Sequence, residues 1–374
     1  MKKKRDDQYR LVNANVERNG GPELEPGTLP PVFFAVHHEV LVPLAPDLLG
    51  MTELTHAQTR AGASPEEVEA AERRFKAHKD LLKMEGFRAE MGYGNNPTGC
   101  FVRPGSFLFG PDARRPFLGQ RTPPTVLTLR VPGAPAAIHV GVAHQSFNSP
   151  PARENEVFGL TSLVDKIKAD RRPADEEGEP GAAAPGESAD PGWAACWLLM
   201  DANDLPEPEG ELVPHPDWSS PSVTDEVHRA HRAELLPDGS WRSYTNVDKI
   251  MHHCRMYDAA RWAAHHGQLQ ALAPTAGRAR PDQGGPHRID RVYMDPYTVQ
   301  AVEEVHVIPM DGLSDHDIVV VDISKRKLVE TLLRRSVEPL PGWRKQPLLP
   351  RVITPSRAEV MHGLVGDSPA KPAA

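Results

Sequence analysis

Acidic and histidine side chains occur in this sequence at points where long apolar runs abruptly become charged. The pair Asp315-His316 comes just before the apolar run 318–321, which predicts a buried strand. A carboxylate beside an imidazole at the rim of a sheet can hold a hard metal ion and handle a proton. Five more polar residues lie in or at the margins of predicted strands: Glu53, His144, Asp201, Asn203 and Asp290. A carboxylate at the end of a buried strand loses hydration and needs compensation by a cation or an imidazolium. One such acid would indicate only the start of a solvated loop, whereas the set indicates a site.

The apolar patterning predicts alternating strands and helices that would position these side chains. We expect strands over residues 9–17, 48–53, 125–131, 136–143, 193–200, 288–294, 299–308 and 318–323, and paired strands within 91–110. We expect helices over 32–44, 65–85, 152–169, 247–266 and 325–335, the second of which starts with the capping box Ser64-Pro65-Glu66-Glu67. This mixture predicts an α/β (α+β) protein.

The segments between these elements indicate one large domain with appendages. Residues 9–323 would form the domain, with a basic extension over 1–8 before it and a basic helix and Pro-rich tail over 324–374 after it. Residues 171–192 are rich in Pro, Gly, Ala and Glu and cannot bury enough apolar surface to order themselves, so they predict a flexible acidic insertion. Residues 205–245 are Pro-rich and polar and predict a long surface loop.

Composition limits the function classes. The 374 residues carry a formal net charge of -8, which argues against a protein that coats nucleic acid through its overall field but permits a local basic groove. Three cysteines without metal-type spacing favour a reduced, cytoplasmic setting. The N-terminus has no apolar stretch typical of a signal peptide, and no apolar run is long enough to span a bilayer. We therefore expect a cytoplasmic protein without a membrane span, and a monomer.

Six motifs, in order, resemble those of the endonuclease/exonuclease/phosphatase superfamily, which has the deoxyribonuclease-I-like fold. They are LVNANVE with Asn15, PDLLGMTE with Glu53, AIHVGVAHQS with His144, LLMDANDLP with Asp201 and Asn203, HRIDRVYM with Asp290, and LSDHDIVVV with Asp315 and His316. The resemblance covers residues 9–323 and is most specific in the last three motifs. It implies a four-layer sandwich of two packed mixed β-sheets flanked by helices, with the site at one edge and Mg²⁺- or Mn²⁺-dependent cleavage of phosphate esters.

The resemblance also implies metal ligands and a substrate contact. Glu53 would be the principal metal ligand, with Asp315 and Asn15 near the ion or its water shell. All three offer oxygen atoms, as a hard and incompletely dehydrated Mg²⁺ prefers. Arg103, at the end of an apolar stretch, is a further candidate to reach a substrate phosphate, and a surface ion pair is the alternative for it.

Further roles follow from the same resemblance. Asp201 would orient or deprotonate the attacking water, and Asn203 would hold that water or a phosphate oxygen. His316, polarised by Asp290, would contact the phosphoryl group, and His144 would stabilise its developing charge. A phosphodiester is anionic and repels hydroxide, so a metal and imidazoles must neutralise charge while one acid aims the water in line.

The sequence departs from the family pattern at three positions beside these residues. Met200 stands in place of the usual glycine, Ala202 in place of an aromatic residue, and Ala14 in place of a bulky residue. The charged groups remain, but the shape of the phosphate pocket, and hence the substrate, is left open. The longer signatures of abasic-site endonucleases and inositol polyphosphate 5-phosphatases are absent from the sequence.

The favoured function is a metal-dependent phosphodiesterase of the nuclease type, with nucleic acid as its partner. One alternative is a phosphatase acting on a small phosphorylated metabolite or lipid headgroup. Another is a non-catalytic binding scaffold, which the loss of a metal acid would favour, and none of the matched acids is lost. A zinc site built from His252, Cys254 and His265 is disfavoured, since on one helix the last two would be about 16 Å apart.

Overall fold

The structure, a computed structural model, describes residues 6–109, 114–115, 120–168 and 194–333. The predicted insertion 171–192 and the tail beyond Leu333 lie outside these residues. The strands are β1 (Gln8–Asn15), β2 (Leu48–Thr52), β3 (Glu85–Arg88), β4 (Gly99–Val102), β5 (Arg114–Arg115), β6 (Thr125–Arg130), β7 (Ala137–His144), β8 (Ala194–Asp201), β9 (Ala233–Leu235), β10 (Trp241–Ser243), β11 (Tyr257–Asp258), β12 (Asp290–Met294), β13 (Val302–Ile308) and β14 (Ile318–Ser324).

The helices lie between these strands. They are α1 (Pro31–Ala35), which continues through a π-helix (Val36–Leu41) into α2 (Val42–Leu44), then α3 (Pro65–Leu82), α4 (Pro150–Lys168), α5 (Glu226–Arg232), α6 (Asn246–His253), α7 (Ala259–His265) and α8 (Lys325–Leu333). The predicted capping box is present: Ser64 Oγ accepts from the backbone N–H of Glu67, and Glu67 Oε2 accepts from that of Ser64. No helix in the described part of the chain combines the length and the apolar character that a membrane crossing requires.

The strands form two mixed sheets of six strands and one separate hairpin, β9 with β10. Sheet I has the order β13-β14-β1-β2-β4-β3, and sheet II has the order β11-β12-β8-β7-β6-β5. Each sheet has one parallel pair at its centre, β1 with β2 and β7 with β8. The other neighbours in both sheets are antiparallel.

The two sheets pack face to face around the main apolar core. Leu11 and Leu48 of sheet I share this core with Val140, Trp197 and Leu199 of sheet II. Each of these side chains is fully buried. Alternation along a strand sends the neighbouring side chains to the opposite face of each sheet, where a second layer must cover them.

Helices provide that second layer on both sides. On sheet I, Val12 and Leu49 pack with Phe75 of α3. On sheet II, Leu198 packs with Val157 of α4, together with Met251 of α6. The order helix, sheet, sheet, helix confirms the predicted four-layer sandwich of two mixed sheets.

The single helix predicted over 247–266 is wrong, because the structure has two helices there. Arg255 has a φ of 63°, which an α-helix cannot contain. Asp258 then caps α7 by accepting from the backbone N–H of Ala260 at 2.9 Å. The apolar spacing alone did not reveal this break.

Residues 205–245 also differ from the predicted irregular loop. They contain α5 and the β9–β10 hairpin, and they bury Leu205, Trp218 and Val223 in a small core of their own. The indole of Trp218 donates to Ser243 Oγ at 2.7 Å. This segment therefore has secondary structure and packs as part of the domain.

Candidate active site

Sheet I brings four of the predicted residues to one edge. β1 and β2 run parallel with Asn15 opposite Thr52, so Asn15 and Glu53, the residue that follows β2, leave the sheet side by side. β14 is antiparallel to β1 and begins at Ile318, so the chain before it returns to the same edge with Asp315 and His316.

Sheet II brings three more residues to that edge. β7 and β8 run parallel and place His144 opposite Asp201. β12 is antiparallel to β8 and places Asp290 opposite Asp201. Because each strand ends or begins at the same level, residues that are far apart in the sequence converge at one lip of the sandwich.

Asp201 lies at the centre of the group and is fully buried. Its Oδ2 accepts a hydrogen bond from Asn15 Nδ2 at 3.0 Å and lies 3.4 Å from His144 Nε2. Burial alone would raise the pKa of Asp201, but the charges of His144 and His316 hold it below its ordinary value. Asp201 is therefore an ionised carboxylate in a site with little access to bulk water.

His316 and Asp290 form a buried pair next to Asp201. His316 Nδ1 lies 2.8 Å from Asp290 Oδ2. Burial would lower the pKa of His316, but Asp290, then Asp201 and Asp315, raise it well above its ordinary value. The acids around it therefore favour the protonated form of His316, whose Nδ1 donates to Asp290.

Three acids lie together on the side of Glu53. Glu53 Oε2 accepts from the backbone N–H of Arg18 at 2.9 Å, and Oε1 lies 3.5 Å from Asn15 Nδ2. Partial burial and the nearby carboxylates of Asp315 and Glu53 raise the pKa of Glu17. Glu17, Glu53 and Asp315 thus offer carboxylate oxygens at one edge of the sandwich, and such oxygens are the ligands that Mg²⁺ and Mn²⁺ prefer.

Two of the site residues have left-handed backbone conformations. Glu53 has a φ of 58° and Asn203 a φ of 49°, each just beyond the end of a central strand. Non-glycine residues seldom adopt such angles, and the surrounding structure must hold them there. These turns direct the Glu53 side chain and the Asn203 backbone N–H, which donates to Asp201 Oδ1 at 3.0 Å, towards the site.

Asn203 and Asn15 both contact protein groups around the site. Asn203 Nδ2 donates to the Gln145 carbonyl at 3.0 Å, and its Oδ1 accepts from Arg232 Nη2 at 2.7 Å. Asn15 Oδ1 accepts from the backbone N–H of Glu17 at 3.0 Å, so the amide nitrogen of Asn15, and not its oxygen, faces Asp201 and Glu53. Both asparagines hold their neighbours in place.

The structure places Arg103 apart from this group. β4 is antiparallel to β2 with Val102 opposite Leu48, at the far end of β2 from Glu53. The Arg103 guanidinium donates from Nε to the Pro46 carbonyl at 2.7 Å. Arg103 therefore braces a turn at the other edge of sheet I.

Sequence reasoning missed two residues of the site, Glu17 and Arg232. Glu17 could have been found, because it too is an acid at the end of a predicted strand, two residues after Asn15. Arg232 is buried and bonds to both the backbone and the side-chain oxygen of Asn203. Its segment was predicted to be a loop, so no pattern indicated that it points inward.

The chain was also compared with known proteins. No protein-family model matches it, and neither does any curated protein. Similar solved structures include truncated TDP2 from Caenorhabditis elegans, at 15% identity and a TM-score of 0.46 over 85% of this chain and 97% of that chain. An endonuclease/exonuclease/phosphatase family protein from Bacteroides thetaiotaomicron has 12% identity and a TM-score of 0.48 over 84% of this chain and 94% of that chain.

A third similar structure is the 3′-5′ exonuclease NExo from Neisseria meningitidis. It has 14% identity and a TM-score of 0.45 over 84% of this chain and 99% of that chain. At this level of similarity, the activities of those proteins are not transferred to this chain.

Proposed function

We propose that this protein is a metal-dependent hydrolase of phosphate esters, specifically a phosphodiesterase of the nuclease type. The observation that carries the proposal is the buried carboxylate of Asp201 between two imidazoles, at an edge where Glu53 and Asp315 also converge. Such a site combines an acid that can aim a water, cations that can meet a phosphate, and oxygen ligands for a metal.

The metal would be Mg²⁺ or Mn²⁺, held by Glu53, Glu17 and Asp315. When bound, it would lower the pKa of water and neutralise charge on the phosphate. Asn15 would hold the carboxylates of Glu53 and Asp201 in position relative to each other, since its Nδ2 lies 3.5 Å from Glu53 Oε1 and 3.0 Å from Asp201 Oδ2.

Asp201 would orient the attacking water. A carboxylate whose pKa is held low is a weak base, so we assign it the task of aiming the water in line more than that of removing its proton. The Asn203 backbone N–H, bonded to the other carboxylate oxygen, fixes the plane of that carboxylate. Preorganisation of this kind is a large part of the rate gain in such sites.

His316 and His144 would meet the phosphoryl group. The His316 imidazolium is fixed through Nδ1 on Asp290, which leaves Nε2 to donate to a phosphoryl oxygen. His144 Nε2 lies between Asp201 and Glu53, at 3.4 Å and 4.0 Å, and would stabilise the charge that develops as the ester bond breaks. Such donors act strongly where water is excluded.

The test compares two kinds of substrate. Purified full-length protein is incubated with supercoiled plasmid and Mg²⁺, and in parallel with a panel of small phosphorylated metabolites, each with a chelator control. We expect nicking or degradation of the plasmid that EDTA abolishes. Phosphate release from a metabolite without any cleavage of nucleic acid would replace the nuclease with a phosphatase, and no metal-dependent hydrolysis of either would refute the proposal.

Two variants tie the activity to the site. Asp201→Asn and His316→Ala should each lower turnover by at least about 10²-fold, because general acid–base groups contribute about 10²–10⁴-fold each. Asp238→Asn, in an exposed turn, makes the same charge change and should have the turnover of the wild type. Near-normal turnover by folded Asp201→Asn or His316→Ala would contradict the assignment.

A further inference from the structure

A cavity of about 410 Å³ adjoins the candidate active site, and His144 is part of its wall. Its wall also includes Arg18, Asn95, Asn96, Arg121 and Phe147. The volume falls in the range of sites that take small molecules or single substrate units. The cavity is therefore placed and sized to receive the part of a substrate next to the reacting phosphate.

The charge of this cavity is opposite to that of the acid group beside it. Two arginines and no carboxylate are among the described residues that line it. Arg18 joins the two regions, since its backbone N–H donates to Glu53 while its side chain lines the cavity. A polyanionic chain that places one phosphate at the acids would therefore meet cations on its next unit.

Flat surfaces line the cavity as well. The Arg121 guanidinium lies over the Phe147 ring, 4.6 Å from its centroid, and Nη1 donates to Asn148 Oδ1 at 3.0 Å. Phe147 is 46% exposed, although it directly follows the buried strand-end residues 144–146. Aromatic rings and guanidinium planes are the surfaces on which unpaired bases stack, whereas the faces of a base in a duplex are covered by its neighbours.

The loop with Asn95 and Asn96 also lines the cavity and presents hydrogen-bond donors. A Cβ at Gly92 would lie 2.4 Å from the Arg121 carbonyl, so the loop with Asn95 and Asn96 packs directly on the segment with Arg121. Asn95 Oδ1 accepts from Arg60 at 2.7 Å, and Asn96 Oδ1 accepts from Thr55 at 2.7 Å. With both oxygens engaged, the two side chains can offer amide N–H groups to acceptors on a base or a phosphate.

We propose that this cavity, the Phe147 pocket, receives an unpaired base of single-stranded nucleic acid whose phosphate lies at the candidate active site. This rests on the proposed function and names its substrate class. The base stacks on Phe147 and Arg121, Arg18 and Arg121 attract the backbone, and the asparagine amides contact polar edges. A duplex end would have to unpair before it could enter.

The test measures binding without cleavage. A ten-nucleotide DNA with one 2-aminopurine is titrated with full-length protein in EDTA, as a single strand and annealed to its complement. We expect fluorescence quenching by stacking for the single strand and weaker binding of the duplex. Phe147→Ala should weaken single-strand binding by about 5- to 150-fold, the range for losing one base-stacking ring. Equal binding of both forms, or no effect of Phe147→Ala, would overturn the proposal.

Matched variants and a small substrate separate the possible failures. Phe158→Ala, which removes a ring that is 52% exposed on α4, should bind like the wild type. If Phe147→Ala does not fold, Arg121→Gln against Arg242→Gln gives the same comparison. Hydrolysis of bis(p-nitrophenyl) phosphate with Mg²⁺ but no binding of the single strand would refute the proposed role of the Phe147 pocket and leave the proposed hydrolase intact. Binding of the single strand with quenching, but no hydrolysis of any phosphate ester, would refute the proposed hydrolase and retain the proposed base-binding role of the Phe147 pocket.

Discussion

At the scale of single residues, Glu17 gives the most direct test of whether Glu17, Glu53 and Asp315 hold a metal ion. Burial, and then the carboxylates of Asp315 and Glu53, raise the pKa of Glu17. Glu17→Gln removes one negative charge from the proposed metal position, so the Mg²⁺ concentration that gives half-maximal activity should rise by about 10- to 100-fold, as for other changes around metal sites. The measurement is the turnover of a phosphodiester as a function of Mg²⁺ concentration.

The control for this prediction is Glu25→Gln. Glu25 is an exposed acid in the loop that follows β1, where its backbone forms an isolated bridge with Thr28. Its variant should have the metal requirement of the wild type. If Glu17→Gln and Glu25→Gln titrate with the same Mg²⁺ midpoint, Glu17 is not part of the metal position.

The individual residues show what sequence could and could not predict. Asp201 and Asp290 were found because an acid at the end of an apolar run is visible along the chain, and the structure sets them opposite each other. Arg103 met a similar criterion but lies at the other end of sheet I, since β4 runs antiparallel to β2. The sequence of neither strand alone shows that direction. Arg232 was invisible, since its partner Asn203 is far away in the sequence.

At the scale of elements, a buried charge network joins α6 and α7 to the segment that follows β8. Arg261 donates to Asp248 and to Glu211, each at 2.8 Å, and Arg288 donates to Glu211 at 2.6 Å. His252 lies within this network, 2.9 Å from Arg261 Nη1. Arg261 thus supplies positive charge among these acids. His252 belongs to this buried network and therefore has a structural role.

This network predicts how stability depends on pH. Burial would raise the pKa values of Asp248 and Glu211. Arg261 and then His252 hold the pKa of Asp248 below its ordinary value, and Arg288 and then Arg261 do the same for Glu211. Unfolding restores the ordinary values, so the unfolded chain binds more protons in acid. The stabilisation is therefore complete above about pH 5 and is lost as the pH falls further through the folded-state pKa values. Urea unfolding at a series of pH values should show this loss.

The variant Arg261→Met isolates the contribution of the network. It leaves buried acids without their cation and should cost about 3–5 kcal/mol at pH 7. The difference from the wild type should narrow in acid, where protonation removes the uncompensated charge. Arg242→Met, which breaks the exposed pair with Glu234, should cost less than about 1 kcal/mol at every pH. A deficit for Arg261→Met that does not change with pH would contradict this account.

The same elements show which features of secondary structure the sequence pattern could predict and which it could not. Alternation and capping signals located most strands and the start of α3, because those signals are local. The break between α6 and α7 depends on the strand β11, which forms only because Tyr257 and Asp258 pair with β12. A sequence window that contains one partner of such a pairing cannot reveal it.

At the scale of the whole molecule, the candidate site is divided between the two sheets. Asn15 and Glu53 come from sheet I, and His144 and Asp201 from sheet II. Direct polar contact between the sheets is made by Asn13, whose Nδ2 donates to the Met200 carbonyl at 2.9 Å. The spacing of the sheets therefore sets the geometry of the site, and no periodicity within either half could predict it.

Gly50 of β2 faces Leu199 and Val142 of sheet II at this end of the core. A Cβ on Gly50 would come within 3.0 Å of both Leu199 Cδ2 and Val142 Cγ2. Those two residues precede Asp201 and His144 by two positions, and Gly50 precedes Glu53 by three. A methyl group at Gly50 must therefore push apart the strands that carry the two halves of the site.

We expect Gly50→Ala to cost about 1–3 kcal/mol of stability by overpacking. Turnover should fall as well, because a displacement of about 1 Å can cost about 10²-fold in rate. Leu199→Val makes room for the added methyl group, so the double variant should be more stable than the sum of the single effects by at least about 0.5 kcal/mol. It should also regain turnover relative to Gly50→Ala. Simple additivity in both urea unfolding and turnover would show that the contact between the sheets does not set the geometry of the site.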